Sequence, residues 1–222
     1  MTAAFSEAQP LVLYADALGG FSAGAGHSGW RLRGIDGGHR PLDLRRWCTT
    51  WTAGDDGLLD RCGGATLDIG CGPGRLVAAL RARNVPALGI DVAPAAVRLA
   101  AAAGAPVLHR SVFDPLPGAG RWSHALLADG NLGIGGDPLR LLRRVRELLA
   151  VDGSLLCELD PPGTPGGPVR LRIESPGGRA SGWFRWAQVP PEELPPMVAA
   201  AGLGCVRQWR DGTRWFAEVR AR

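Results

Sequence analysis

The stretch Thr66-Leu67-Asp68-Ile69-Gly70-Cys71-Gly72-Pro73-Gly74-Arg75-Leu76 decides how this chain is read. A short apolar run carries one acid, three glycines follow at alternate positions, and an amphipathic segment begins at Arg75-Leu76-Val77-Ala78-Ala79-Leu80. That order implies a buried strand, a tight turn and a helix. Glycine admits positive φ and lets a ligand lie against bare backbone, while the first turn of a helix leaves N–H groups unpaired. A ligand-binding turn is expected at residues 70–74.

Downstream the rhythm repeats. Residues 87–91, 106–110, 123–129 and 153–159 read as four more strands, with helices at 94–103 and 138–150 and a proline- and glycine-rich loop at 111–121. Strands alternating with helices at this spacing imply a parallel sheet covered on both faces. Beyond the breaker-rich 161–168, period-two alternation at 169–173 and 183–187 predicts a hairpin. Residues 190–201 follow as a helix, and 205–209 with 214–219 as a second hairpin around Asp211-Gly212.

Residues 1–64 are less regular. Residues 11–18 suit one or two helical turns, 19–38 hold eight glycines and read as loop, and 42–47 and 55–61 read as short helices. This places an N-terminal lid or cap over 1–64, a ligand-binding domain over 65–222, and a hairpin insertion at about 169–187 within it.

Composition narrows the classes. The 222 residues suit one domain with room for a full core. No apolar run reaches the roughly 18 to 20 residues of a membrane span, and the N-terminus lacks a basic targeting region. A cytoplasmic protein is expected. The five cysteines are scattered without a C-x-x-C, so neither a disulfide framework nor a zinc site is indicated. The net charge of +4 is small and dispersed, and nucleic acid is not an expected partner.

Ligands of open α/β sheets bind beyond the carboxyl ends of the strands. Asp91, Asp129 and Asp160 sit at such ends, and Asp68 lies two residues before the first glycine. A dinucleotide wants Gly-x-Gly-x-x-Gly and a pyrophosphate at the helix start. Here the spacing is Gly70-x-Gly72-x-Gly74, and a carboxylate at Asp68 would repel that pyrophosphate. It suits a ligand with an ammonium group.

Asp68-Ile69-Gly70-Cys71-Gly72-Pro73-Gly74 followed by Gly89-Ile90-Asp91 resembles the class I S-adenosylmethionine-dependent methyltransferases, over about residues 66–160. The resemblance implies a Rossmann-like three-layer αβα sandwich with a seven-stranded, mostly parallel sheet and a reversed last strand. It implies S-adenosylmethionine as cofactor, with Gly70, Cys71, Gly72 and Gly74 under the methionine portion and Asp68 near its ammonium. Asp91 would accept from the ribose hydroxyls, with Val92 beside it. The family's acid after the third strand falls on Ser111, with Val112 next; Asp114 is the alternative. Asp129 and Asn131, in the loop after the fourth strand, are the candidates for orienting an acceptor.

The same loop lacks the Asn-Pro-Pro-Tyr motif common in methylases of bases or glutamine, so a small-molecule acceptor methylated on oxygen is the first reading. No metal is called for. The lid residues Tyr14, His27, Trp30, His39, Trp47 and Trp51 and the hairpin residues Trp183, Phe184 and Trp186 suit an apolar or aromatic acceptor, although any one Trp more often packs than binds. A non-catalytic cofactor-binding module or sensor, an NAD-dependent oxidoreductase and a nucleic-acid methylase are the alternatives.

Overall fold

The computed structural model describes residues 8–24, 28–49 and 53–221. His27 and Trp51 of the expected pocket lie outside them. The described chain runs through α1 (Ala8–Ser22), β1 (Arg31–Gly34), β2 (His39–Pro41), α2 (Leu44–Cys48) and α3 (Asp56–Leu59). It continues with β3 (Thr66–Ile69), α4 (Arg75–Ala82), β4 (Ala87–Asp91), α5 (Pro94–Ala102), β5 (Val107–His109) and β6 (Trp122–Leu127). A 3-10 segment, Asn131–Gly136, leads to α6 (Pro138–Leu148) and β7 (Leu149–Leu159). The rest is β8 (Gly167–Glu174), β9 (Phe184–Gln188), α7 (Leu194–Ala200), β10 (Gly204–Asp211) and β11 (Arg214–Arg220).

Seven strands form one sheet in the order β10-β11-β7-β6-β3-β4-β5. Neighbours from β5 to β7 are parallel, and β11 runs antiparallel to both β7 and β10. The strand order reverses between β3 and β6, which opens a crevice at their carboxyl ends. The expected Rossmann-like sheet with its reversed last strand is present.

Alternation along the central strands explains the layers. Ala125, Leu127, Leu155 and Cys157 point to one face, where α6 and α7 bury Leu141, Leu142, Val145, Leu194 and Val198. Leu126, Leu156 and Phe216 point to the other, against Leu58 and Leu59 of α3 and Leu76 and Leu80 of α4. Successive strand residues face opposite ways, so a strand covered on both sides reads as a continuous apolar run. Each such Leu contributes roughly 1.5–3 kcal/mol by leaving water.

The N-terminal region departs from its expected form. Helix α1 continues through Gly19 and Gly20 to Ser22, because Ala17 and Leu18 on one face are buried against Leu44, Ala93 and Ala96. That burial offsets the poor helix propensity of glycine, about 1 kcal/mol each. Within the expected loop lies β1, whose Leu32 pairs with Ile173 of β8 and Arg40 of β2. The result is a second, antiparallel sheet in the order β2-β1-β8-β9. Sequence-distant pairing of this kind leaves no local periodicity.

Gly133 locks the two sheets together. A Cβ there would stand 2.2 Å from the Ala187 carbonyl oxygen and 2.4 Å from Trp186 Nε1. Gly133→Ala is expected to lower unfolding free energy by about 1–3 kcal/mol, the range for an overpacked contact, in urea titration.

Candidate active site

The turn after β3 is built from left-handed glycines, with φ of 73° at Gly70, 55° at Gly72 and 87° at Gly74. At Gly74 a Cβ would meet the Ala100 Cβ at 2.9 Å, so helix α5 presses on the turn. From the other side, the Asn131 side-chain amide donates to the Ile69 carbonyl at 3.1 Å and the Gly70 carbonyl at 2.9 Å. Asn131, expected to orient an acceptor, here fixes the glycine turn.

Asp91, at the end of β4, accepts from the Gly72 N–H at 2.9 Å and the Ala93 N–H at 2.7 Å. Those bonds aim its carboxylate beside the turn, and each oxygen keeps acceptor capacity. Burial raises its pKa above the usual carboxylate range, with the backbone donors pulling it back. Asp68 is 2% exposed. Burial pushes its carboxyl up to about 7; the Arg75 charge opposes this and Asp129 and Asp91 reinforce it.

Asp129 sits at φ 55° and Gly130 at φ 82°, a double left-handed bend that turns the Asp129 side chain back toward α4. There it joins a cluster the sequence did not announce. Arg75 pairs with Asp55 and, at 2.7 Å, with Asp129. Arg46, from α2, lies 3.1 Å from Asp129 and 3.6 Å from Glu158. Arg214, from β11, holds Glu158 through two donors, each at 2.8 Å, and Asp55 at 2.9 Å. Glu158 in turn accepts the Asp129 N–H at 2.7 Å. Three guanidiniums thus face three carboxylates, and the Asp129 side chain belongs to this cluster while also bordering the cavity described next.

A cavity of about 1310 Å³ is bordered by Asp68, Gly70, Cys71, Gly72, Asp91 and Val92. Ser111, Val112, Asp129 and Asn131 also border it, as do Trp47, Trp183, Phe184 and Trp186. The site residues predicted from sequence therefore meet in one place, apart from Gly74, which packs behind the turn. Ser111 also borders the cavity, while the Asp114 carboxylate accepts the Ser111 N–H at 3.1 Å and closes the loop. Cys71 packs with Val77, Ala100 and Ala105, and burial pushes its thiol pKa up, away from any nucleophilic role.

Of the expected lid residues, Tyr14 and Trp47 border the cavity, their rings edge-to-face at 6.1 Å. The Tyr14 hydroxyl stands 3.5 Å from where a Gly72 Cβ would be. Trp30 packs against the cluster of Ala17, Leu18, Leu44 and Ala93, and His39 is exposed on β2. Trp209 stacks on Phe216, and Trp122 and Trp215 pack against the main core. His124 is spent on Ser154 and the Gly63 N–H, and His109 on the Val92 carbonyl.

The buried cluster yields a prediction. Arg75→Met would leave Asp55 and Asp129 short of a partner, and the expected loss of unfolding free energy is about 3–5 kcal/mol. Arg83→Met, which removes the more exposed pairs to Asp56 and Asp60, should cost less than about 1 kcal/mol in the same denaturant titration.

Comparison with known proteins agrees with this geometry. Residues 55–203 match a family model described as a methyltransferase domain. No curated protein matches the sequence. Among solved structures, a methyltransferase from Bacteroides fragilis, crystallised with S-adenosyl-L-homocysteine, superposes with a TM-score of 0.78 at 18% identity, covering 96% of this chain and 95% of that one. A 1,6-didemethyltoxoflavin-N1-methyltransferase from Burkholderia thailandensis gives 0.56 at 19% identity, covering 95% and 89%. An amino pentose methyltransferase from Micromonospora echinaspora gives 0.58 at 18% identity, covering 80% and 94%. With the family model spanning 55–203 and the sheet order described above, the chain belongs to the methyltransferase-domain family and is a class I S-adenosylmethionine-dependent methyltransferase.

Proposed function

We propose that the protein methylates a small molecule held between the glycine turn and the second sheet. The observation that carries this is the continuity of the cavity. Its volume of about 1310 Å³ exceeds the upper end, roughly 1,000 Å³, of ordinary single-ligand pockets. One end suits a nucleoside cofactor and the other is walled by Trp47, Trp183, Phe184 and Trp186, which suits an apolar or aromatic acceptor. The relatives named for toxoflavin and for an amino pentose support an acceptor of this size class.

The residues fit the cofactor. In our reading Asp68 takes its ammonium, Gly70, Cys71 and Gly72 lie under the methionine portion, and Asp91 accepts from the ribose hydroxyls with Val92 beside it. Ser111 and Val112 border the adenine. Among the described residues neither Asp68 nor Asp91 is held in an ion pair, so both carboxyls are left to meet a cation. When bound, S-adenosylmethionine supplies an electrophilic methyl on a positively charged sulfur.

The chain contributes alignment. The Asn131 amide fixes the turn, Tyr14 closes over Gly72, and the tryptophan wall keeps water from the acceptor. Holding two reactants in line can remove roughly 7–11 kcal/mol of barrier. Asp129 acts by keeping this frame in place. Oxygen is the first reading of the accepting atom, since the loop at residues 129–137 lacks the motif that orients amino nitrogens. Nitrogen is the second, favoured by the N1 and amino pentose names of two relatives. Among the described residues Cys48, Cys62, Cys71 and Cys157 are free thiols, which suits a cytoplasmic setting, and no helix is long and apolar enough to cross a membrane.

Purified protein incubated with S-adenosylmethionine and a panel of phenols, aminosugars and heteroaromatic amines should yield S-adenosylhomocysteine by mass spectrometry. Failure to bind either nucleoside would overturn the reading. The pH dependence is a second check. Below about 7 the Asp68 carboxyl holds a proton that it must lose before pairing with an ammonium. S-adenosylhomocysteine affinity should therefore rise about tenfold per unit as pH climbs toward 7 and level off above it. Asp68→Asn should flatten that slope in calorimetric titration.

A further inference from the structure

Strand register fixes which side of the second sheet meets the cavity. Leu32 of β1 pairs directly with Ile173 of β8 and with Arg40 of β2, and Leu171 pairs with Phe184 of β9. Directly paired residues share a face, and these five all border the cavity. Among the described strand residues on this face, Arg40 is the charged one. Asp160, just past the end of β7, borders the cavity beside it, with Oδ1 3.8 Å from Arg40 Nη1. The other half of that carboxylate is fixed. Oδ2 accepts the Val189 N–H at 2.8 Å, and the Asp160 N–H donates to the Val189 carbonyl at 3.1 Å. Among the described residues Oδ1 has no hydrogen bond, and its separation from Arg40 exceeds the roughly 2.7–3.2 Å of an N–H···O bond.

Sheet order separates this pair from the cofactor residues. The glycine turn, Asp91 and Ser111 follow β3, β4 and β5, whereas Asp160 follows β7, beyond the reversal of strand order. With neighbouring strands about 4.8 Å apart, β7 lies about 10 Å from β3 and about 14 Å from β4. Other polar groups on this side are committed: Glu158 is held by Arg214 through both oxygens, and the Asn131 amide donates to the turn. In an otherwise apolar wall, the Asp160 oxygen calls for a donor and the Arg40 guanidinium for an acceptor. The nitrogen and oxygen of one amide are about 2.3 Å apart by standard bond lengths. With hydrogen bonds of about 2.9 Å on either side, such a group bridges outer atoms about 4 Å apart. The Asp160–Arg40 separation matches that span. A lactam ring holds N–H and C=O on one edge, as the bridge requires.

We propose that Asp160 and Arg40 form a clamp that recognises an amide or lactam edge on the acceptor. Asp160 Oδ1 accepts its N–H and Arg40 donates to its carbonyl oxygen. The acceptor is then a planar molecule whose amide edge sits at the end of β7 and whose ring lies on the Leu32–Phe184 face. This deepens the proposed function and rests on the acceptor occupying the cavity.

The test is calorimetric titration of the full chain saturated with S-adenosylhomocysteine. The probes are isoquinolin-1-one, a flat lactam, and isocoumarin, the same shape with a ring oxygen in place of the N–H. Isoquinolin-1-one should bind about tenfold or more tighter, because isocoumarin sets an acceptor against the Asp160 carboxylate. In Asp160→Asn the side-chain oxygen keeps the Val189 N–H and the new NH2 group meets the lactam N–H, donor to donor. The preference should then fall to about twofold or less, with S-adenosylhomocysteine binding unchanged. Arg40→Met removes the partner of a carbonyl that both probes carry, so both should weaken by about threefold or more with their ratio kept. No binding of isoquinolin-1-one, equal binding of the two probes, or a preference that survives Asp160→Asn would overturn the clamp. Failure of the wild-type protein to bind S-adenosylhomocysteine is the separate result that would strike the methyltransferase reading itself.

Discussion

The carboxyl end of the large sheet buries more acids than an apolar interior tolerates alone, and the rest of the site depends on how their charge is cancelled. Asp55, Asp129 and Glu158 are neutralised by Arg46, Arg75 and Arg214. These six residues come from the position just before α3, the loop after β6, the end of β7, α2, the first residue of α4 and the first residue of β11. A buried pair contributes little net stability over an apolar substitute, but removing one partner is severe. The cluster therefore works as a registration device: each element must be in place for any charge to be satisfied. It ties α2, the glycine turn and the reversed strand into one frame.

That frame leaves Asp68 and Asp91 facing the cavity. Their environments differ in kind. Asp91 is aimed by two backbone N–H donors, so its geometry is set by the glycine turn itself. Asp68 is raised by burial and by neighbouring acids, a condition that a bound cation relieves. On the far side, the second sheet closes the chamber with Trp183, Phe184 and Trp186. The same cavity is thus bordered by Asp68 and Asp91 and by the aromatic side chains of the second sheet.

Much of this was legible in the chain. The alternation of residues 66–160 carried the parallel sheet, because a βαβ unit writes itself locally through strand runs and helix periods. The glycine spacing with Asp68 and Asp91 marked residues that meet at one cavity. What escaped were contacts between distant segments. Nothing around Arg31–Gly34 marks it as a strand until Ile173 and Arg172 are beside it. Asn131 was read as facing an acceptor; it borders the cavity, and the further role of its amide, donating to the Ile69 and Gly70 carbonyls, had no signal in the sequence. Arg75 looked like an ordinary first-turn residue, and its side chain is only 3% exposed, between Asp55 and Asp129. A buried arginine has no one-dimensional signature; its partners lie 20 and 54 residues away.

The most direct measurement is a crystal structure with S-adenosylhomocysteine bound. The account predicts the ammonium beside Asp68, the ribose hydroxyls on Asp91, and the sulfur open to a chamber ending at Trp183 and Trp186. A nucleoside bound with its ribose away from Asp91, or with the sulfur sealed from that chamber, would contradict it.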